Sequence, residues 1–251
     1  QGNEQRFLFD TNQERAVFLR RLDEIQAVYF VYESPSTYKV DVYLDGKNPN
    51  QTSAIYSAPI TIDSTTVVRA RNYSTNPLEL PSEIVTNTYF IDENITLPVV
   101  SLTSDPYNLF DTIYGIYYVD NIYNSWERPA NIEYFEMQGN QGFETPASIA
   151  IQGNFSKTWP QRGFAVKTKE NYNGSTINYP LFPDKPYITQ YKSFNIRNAG
   201  SDWNTCHMRD RFNQKNAQKS TTLDMMDGRP CVLFINGTYW GVYELREKQD
   251  K

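Results

Sequence analysis

Histidine and cysteine are scarce: one His and two Cys in 251 residues, which all but excludes a zinc site of the usual Cys/His kind. No run approaches the roughly 18 apolar residues of a membrane helix, so no membrane span is expected. Positive charge is in deficit, 24 Lys and Arg against 29 Asp and Glu, for a net charge of −5. A protein built to bind nucleic acid carries the opposite balance, so no nucleic-acid partner is expected. No basic segment followed by an apolar one opens the chain, which fits either a cytosolic protein or one whose signal has been removed. The phosphate-binding G-x-x-x-x-G-K-[ST], the dinucleotide G-x-G-x-x-G and the esterase G-x-S-x-G are all missing. His207-Met208-Arg209-Asp210 has the outline of a kinase catalytic loop, but Lys215 stands where that loop needs a metal-binding Asn.

What the chain has in quantity is aromatic side chains. Nineteen Tyr and 14 Phe, many beside Val, Ile or Thr, favour strands, and 14 Pro with 12 Gly cut the sequence into short runs. Residues 1–26 are ambiguous: Thr11 with Glu14 suits a capping box, yet the segment runs straight into the strand-like VYFVYE. Within 27–92, strand-like runs at 28–33, 39–44, 52–60, 65–71 and 83–91 alternate with turn formers such as Asp45-Gly46 and Asn48-Pro49. That density of short strands predicts a small Ig-like β-sandwich. The polar stretch 92–96 reads as a linker. In 97–251 further strands are expected at 98–104, 114–120, 130–137, 147–153, 163–169, 192–198, 230–237 and 241–247. Residues 206–220 interrupt them; without Pro, Gly or β-branched residues they read as a helix, with Met208, Phe212 and Ala217 as its apolar stripe. The expected fold class is mainly β, a sandwich followed by an α+β module.

The hairpin formed by 147–153 and 163–169 carries the loop NFSKTWPQR. Its backbone N–H groups, with Lys157 and Arg162 nearby and Lys167 further along the strand, suit either a phosphate cover or an ordinary polar turn. Cys206 and Cys231 are read either as a disulfide closing a loop of about 25 residues or as two free thiols, the disulfide being expected if the protein is exported. Six Asn-x-Ser/Thr triplets, at Asn50, Asn72, Asn94, Asn154, Asn173 and Asn236, point to surface loops. Trp126, Trp159, Trp203 and Trp240 are either stacking surfaces for polysaccharide or buried rings.

Several strings, in order, resemble the CotH family, the spore coat protein H type of atypical kinase. They are LPVVSLTSDPYNLFD, NSWERPANIEYFE, IAIQGNFSKTWPQRGFAVKTK, YPLFPD, YKSFNIRNAGSDW, MRDRFNQ and VLFINGTYWGVYELREKQD, covering about 97–251. The run Asn236 to Lys248 is the most specific of them. Upstream, VDVYLDGKNPN, IYSAPITI and TTVVRARNY resemble a chitobiase/hexosaminidase C-terminal-type sandwich. The resemblance implies a kinase-like small lobe that binds ATP with Mg2+ and belongs to a bacterial, secreted or cell-surface enzyme phosphorylating Ser or Thr of surface proteins. Its alternative is an inactive adhesion, polysaccharide-binding or structural protein. The nucleotide-binding residues implied are Asn154, Arg162, Lys167, Asp210, Glu247 and Lys248, with Arg162 and Gly163 standing where the family usually has Lys and Ser. An acid on the helix, Asp210 or a neighbour, is expected to orient Lys167 or Arg162. The family's catalytic and metal-binding Asp and Asn residues are expected beyond Lys251.

Overall fold

A computed structural model describes residues 38–43, 45–50, 52–56, 60–74, 78, 80–168 and 176–248. The ambiguous segment 1–26 and the strand expected at 28–33 lie outside the described residues. The chain divides into two compact units, 1–93 and 94–251.

The first unit holds strands β1 (Tyr38–Tyr43), β2 (Ala54–Ile55), β3 (Thr66–Ser74) and β4 (Val85–Tyr89), which form one antiparallel sheet in the order β2-β1-β3-β4. Val68, Ala70, Tyr89 and Ile62 make its apolar cluster. Arg69 is buried in the same strand as Val68 with its guanidinium hydrogen-bonded: Nε donates to Thr86 Oγ1 at 3.1 Å and Nη1 to Gly46 O at 3.0 Å and Asn48 Oδ1 at 2.6 Å. A buried guanidinium is tolerated only on such terms.

The second unit is a closed seven-stranded barrel. Its strands are β5 (Val99–Thr103), β6 (Arg128–Phe135), β7 (Gln141–Gln152), β8 (Gly163–Lys167), β11 (Ser193–Arg197), β12 (Gly228–Ile235) and β13 (Thr238–Glu247), with β9 (Ile177–Asn178) and β10 (Gln190–Tyr191) as a separate pair. Around the barrel the order is β11-β13-β12-β5-β6-β7-β8, and β8 pairs back onto β11. Neighbours are antiparallel except β5 and β12, which run parallel over Val99–Leu102 and Val232–Ile235. Alternation sorts the side chains. Phe164, Val166, Phe194, Ile196, Tyr243 and Leu245 are buried in one core, each fully buried apolar side chain worth about 1.5–3 kcal/mol. Their strand neighbours Ala165, Lys167, Asn195, Arg197, Glu244 and Arg246 take the opposite face. The β12–β13 connection is a two-residue turn, Asn236 and Gly237 both at positive φ (49° and 79°), as the Asn-Gly pair predicts.

The mainly β class with a small α+β module is what the chain adopts. Two local expectations need correction. Residues 114–120 are not a strand. Asp111 Oδ1 accepts the N–H groups of Ile113 and Tyr114 (2.9 and 2.8 Å), and the N–H groups of Ile116 and Tyr117 go to Asn108 O and Leu109 O. The aromatic and β-branched residues of a strand are present, but the backbone donors are already spent on turns. The segment packs behind α1 (Pro106–Phe110), which Asp105 caps by accepting from Tyr107 N. The second helix, α2, spans Arg209–Ser220, and Met208 and Phe212 are 62% exposed while Ala217 is half-buried, so the expected apolar stripe is largely uncovered among the described residues. Charge holds α2 instead.

Candidate functional site

The loop between β7 and β8 overhangs a cleft of about 360 Å³, lined by Gln152, Gly153 to Ser156, Asn195, Arg197, Gly200, Ser201, Met226 and Arg246. Gly153 enters the loop at φ 117°, and a Cβ there would stand 2.2 Å from Ser156 Oγ, so only glycine lets the chain turn so sharply. Asn195 and Arg197 reach the cleft from the outward face of β11, and Arg246 from the adjacent β13, where its residue pairs with Asn195.

Asp210, in the first turn of α2, accepts from Arg197 Nη1 and Arg246 Nη2 with the same oxygen, Oδ2. Arg246 Nη1 donates to Glu244 Oε1 at 3.1 Å, and Arg211 Nε donates to Gly228 O at 2.9 Å. Lys215 pairs with Asp184 further along the helix. Burial pushes the Asp210 carboxyl up, but Arg246 and Arg197 beside it hold it below the ordinary carboxylate range. Glu244 goes the other way: its burial outweighs Arg246, Arg197 and Arg211 and raises it. The cleft thus keeps two guanidinium groups fixed by Asp210, with Glu244 as a further partner of Arg246. Arg246 is only 2% exposed, and its Nε has no hydrogen-bond partner among the described residues. One unbonded N–H of a guanidinium otherwise held by Asp210 and Glu244, beside a second Arg and a loop of backbone amides, is suited to an oxyanion such as phosphate.

The residues singled out from the sequence fall in different places. Asn154 lines the cleft, and Asp210 anchors its arginines. Arg162 does not line it: Nε donates to Lys157 O at 2.8 Å and the guanidinium lies 4.7 Å over the Tyr117 ring, bracing the base of the hairpin. Lys167 lies at the far end of β8, four residues from Gly163 or about 13 Å at strand rise, and pairs with Glu127 at 2.7 Å. The expected Asp210 contact with Lys167 or Arg162 is therefore replaced by Asp210 with Arg197 and Arg246. Glu247 accepts from the buried Lys185 at 2.7 Å and from Asp227 N at 3.0 Å, away from the cleft lining. Lys248 follows β13 and is absent from the cleft lining. Cys206 and Cys231 are free thiols: Cys206 is exposed with Sγ 3.1 Å from Asp202 Oδ2, while Cys231 faces the barrel core. The expected disulfide is not formed because strand parity turns Cys231 inward, away from the turn that carries Cys206. None of the four Trp is an open platform. All are half-buried, and Trp159, Trp203 and Trp240 pack around the hairpin.

Arg197 and Arg246 were missed from the sequence. Their signal was present: each is a charged residue closing a strand whose alternate positions, in SFNIR and VYELR, are apolar.

Residues 149–251 match the family model described as CotH kinase protein, and residues 37–89 match the one described as Fn3 associated. The matches support a CotH kinase-family region in the C-terminal part of the chain, preceded by an Fn3-associated domain. The upstream match carries the Fn3-associated description rather than the chitobiase-type one. No curated protein matches the chain. The matched stretch starts within β7, so β5, β6 and the first part of β7 complete the barrel from outside it.

Proposed function

We propose that this chain forms the ATP-binding small-lobe part of a CotH-type protein kinase acting on Ser or Thr of secreted or cell-surface proteins. The observation that carries the reading is the pair Arg197 and Arg246, set by one helix acid under a glycine-led hairpin, with a buried guanidinium N–H unspent. In this reading both guanidinium groups and the loop amides bind phosphate oxygens, Asp210 fixes the forks, and the hairpin excludes water. ATP, when bound, supplies the phosphoryl group. No three His, Cys, Asp or Glu gather to hold a metal among the described residues.

Calorimetric titration of the full chain with ATP tests this. Binding that falls at least about tenfold in Arg246→Met and Arg197→Ala is expected, each variant losing a charge-assisted contact. Unchanged affinity in both, or no binding by the wild type, overturns it. A second reading, adhesion or polysaccharide binding, is favoured by the exposed cluster of Tyr107, Phe110, Ile113 and Tyr114, where Tyr107 stacks on Tyr114 at 5.0 Å. Saccharide binding lost in Tyr107→Ala with ATP binding absent would select it.

A further inference from the structure

We propose that Gln161 is the latch that fastens the hairpin over the cleft, a positioning residue acting through the loop it holds. Its side-chain amide is used at both ends. Nε2 donates to Trp240 O at 2.8 Å, and Oε1 accepts from Trp203 Nε1 at 2.7 Å. Its backbone carbonyl accepts from Asn198 Nδ2 at 2.5 Å. One residue thus ties the end of the loop to β13 and to the turn at 198–203, whose Gly200 and Ser201 form another wall of the cleft.

The loop needs such a tie. Its own backbone bonds are long, Lys157 N to Asn154 O at 3.3 Å and Trp159 N to Ser156 O at 3.4 Å, near the limit for a useful hydrogen bond. Other bonds brace it piecemeal: Thr158 Oγ1 donates to Phe155 O at 2.8 Å, Arg162 Nε to Lys157 O at 2.8 Å and Asn198 Nδ2 to Ser156 O at 3.3 Å, while at the hairpin base Tyr117 Oη donates to Pro160 O at 2.8 Å and accepts from Arg162 N at 3.0 Å. The latch also brings Trp203 under the loop, where it stacks on Trp159 at 5.0 Å, and Trp159 meets Phe155 edge-on at 5.7 Å. Gly241 makes room for the arrangement: at φ 130°, a Cβ there would stand 1.8 Å from Gln161 Nε2. The Trp-Gly pair at 240–241 therefore does two jobs, presenting a carbonyl to Gln161 and withholding a side chain from its path.

The effect on nucleotide rests on the reading of the cleft given above, but the latch can be measured without nucleotide. Hydrogen exchange of residues 153–160 and ATP titration would be followed in the full chain as wild type, Gln161→Ala, Gln161→Met, Gly241→Ala and the double variant Gln161→Ala/Gly241→Ala. Met fills the same space and makes neither hydrogen bond. Both Gln161 variants are expected to speed exchange in the loop about tenfold, the loss of two hydrogen bonds, with β5 and β6 unchanged. Gly241→Ala is expected to loosen the loop strongly beside Gln161 and much less in the Gln161→Ala background. Wild-type exchange in Gln161→Met, or equal effects of Gly241→Ala in both backgrounds, overturns the latch. ATP affinity weakened about three- to tenfold alongside faster exchange supports the positioning role, and a loosened loop with unchanged affinity overturns it. A wild type that binds no ATP removes the nucleotide reading, and with it the positioning role, while the exchange data still decide whether Gln161 is a latch.

Discussion

Replacing Asp210 with Asn tests the charged docking of α2 directly. Asp210 Oδ2 is the common acceptor for Arg197 and Arg246, and no residue of α2 is buried. Removing one partner of a fully buried pair costs about 3–5 kcal/mol, chiefly because the other charge is left in a poorly solvated place. Arg246 meets that condition at 2% side-chain exposure, but Asp210 is 40% exposed, so water screens part of the interaction and the expected loss falls to about 2–3 kcal/mol. For a domain the size of the second unit, 94–251, this lowers the melting temperature by about 5–10 °C. Phe212→Ser on the same helix is the control, with 62% of its surface already in water and an expected change within about 0.5 kcal/mol. The pH dependence adds a signature. Because Asp210 titrates lower in the folded protein than its ordinary value of 3.8, its contribution is complete above that value and lost as pH falls through the folded pKa. The gap between wild type and Asp210→Asn should therefore be full at neutral pH and close below about pH 4. Thermal unfolding by near-ultraviolet circular dichroism reads both. A neutral-pH shift under about 2 °C, or a Phe212→Ser effect as large as that of Asp210→Asn, would refute docking by charge.

Lys185→Met should cost about 2–4 kcal/mol in urea titration, since Lys185 is 3% exposed between Asp224 and Glu247, and its loss strands the Glu247 carboxylate. Burial lowers the Lys185 pKa but the two acids outweigh it, to about 12, so its contribution should persist at high pH and fade only as pH rises through that value. Thiol titration should find one reactive cysteine in the folded chain and two in denaturant, because burial pushes Cys231 up to about 12 while Cys206 is exposed; no free thiol in denaturant would restore the disulfide.

Much of the local structure was legible. The strands at 130–137, 163–169, 192–198 and 241–247 announced themselves by apolar alternation, and β6, β8, β11 and β13 lie there. The run 114–120 is not a strand because aromatic and β-branched content reports only side-chain preference, and Asp111 claims the backbone N–H groups of Ile113 and Tyr114. The helix expected at 206–220 forms over Arg209–Ser220, but its attachment differs, since an apolar pair four residues apart looks the same whether or not anything covers it. Asp210 pairs with Arg197 and Arg246, neither of which the sequence reading singled out.

That last difference marks the boundary between the two kinds of information. The sequence by itself determined the properties that depend on a residue and its near neighbours. Among them are the inward and outward parity of each strand, the Asn236-Gly237 turn, and the glycines at 153 and 241 where the backbone must take positive φ. Only the tertiary structure decided which strands are adjacent. The β8–β11 pairing closes the barrel, and the parallel β5–β12 pairing joins segments about 130 residues apart. Adjacency is set by how all the inward faces fill one core together, a sum over distant pairs that no local window contains. Two arginines of already outward parity thereby meet one acid at a cleft, while the lysine the motif favoured is left at the other end of its strand.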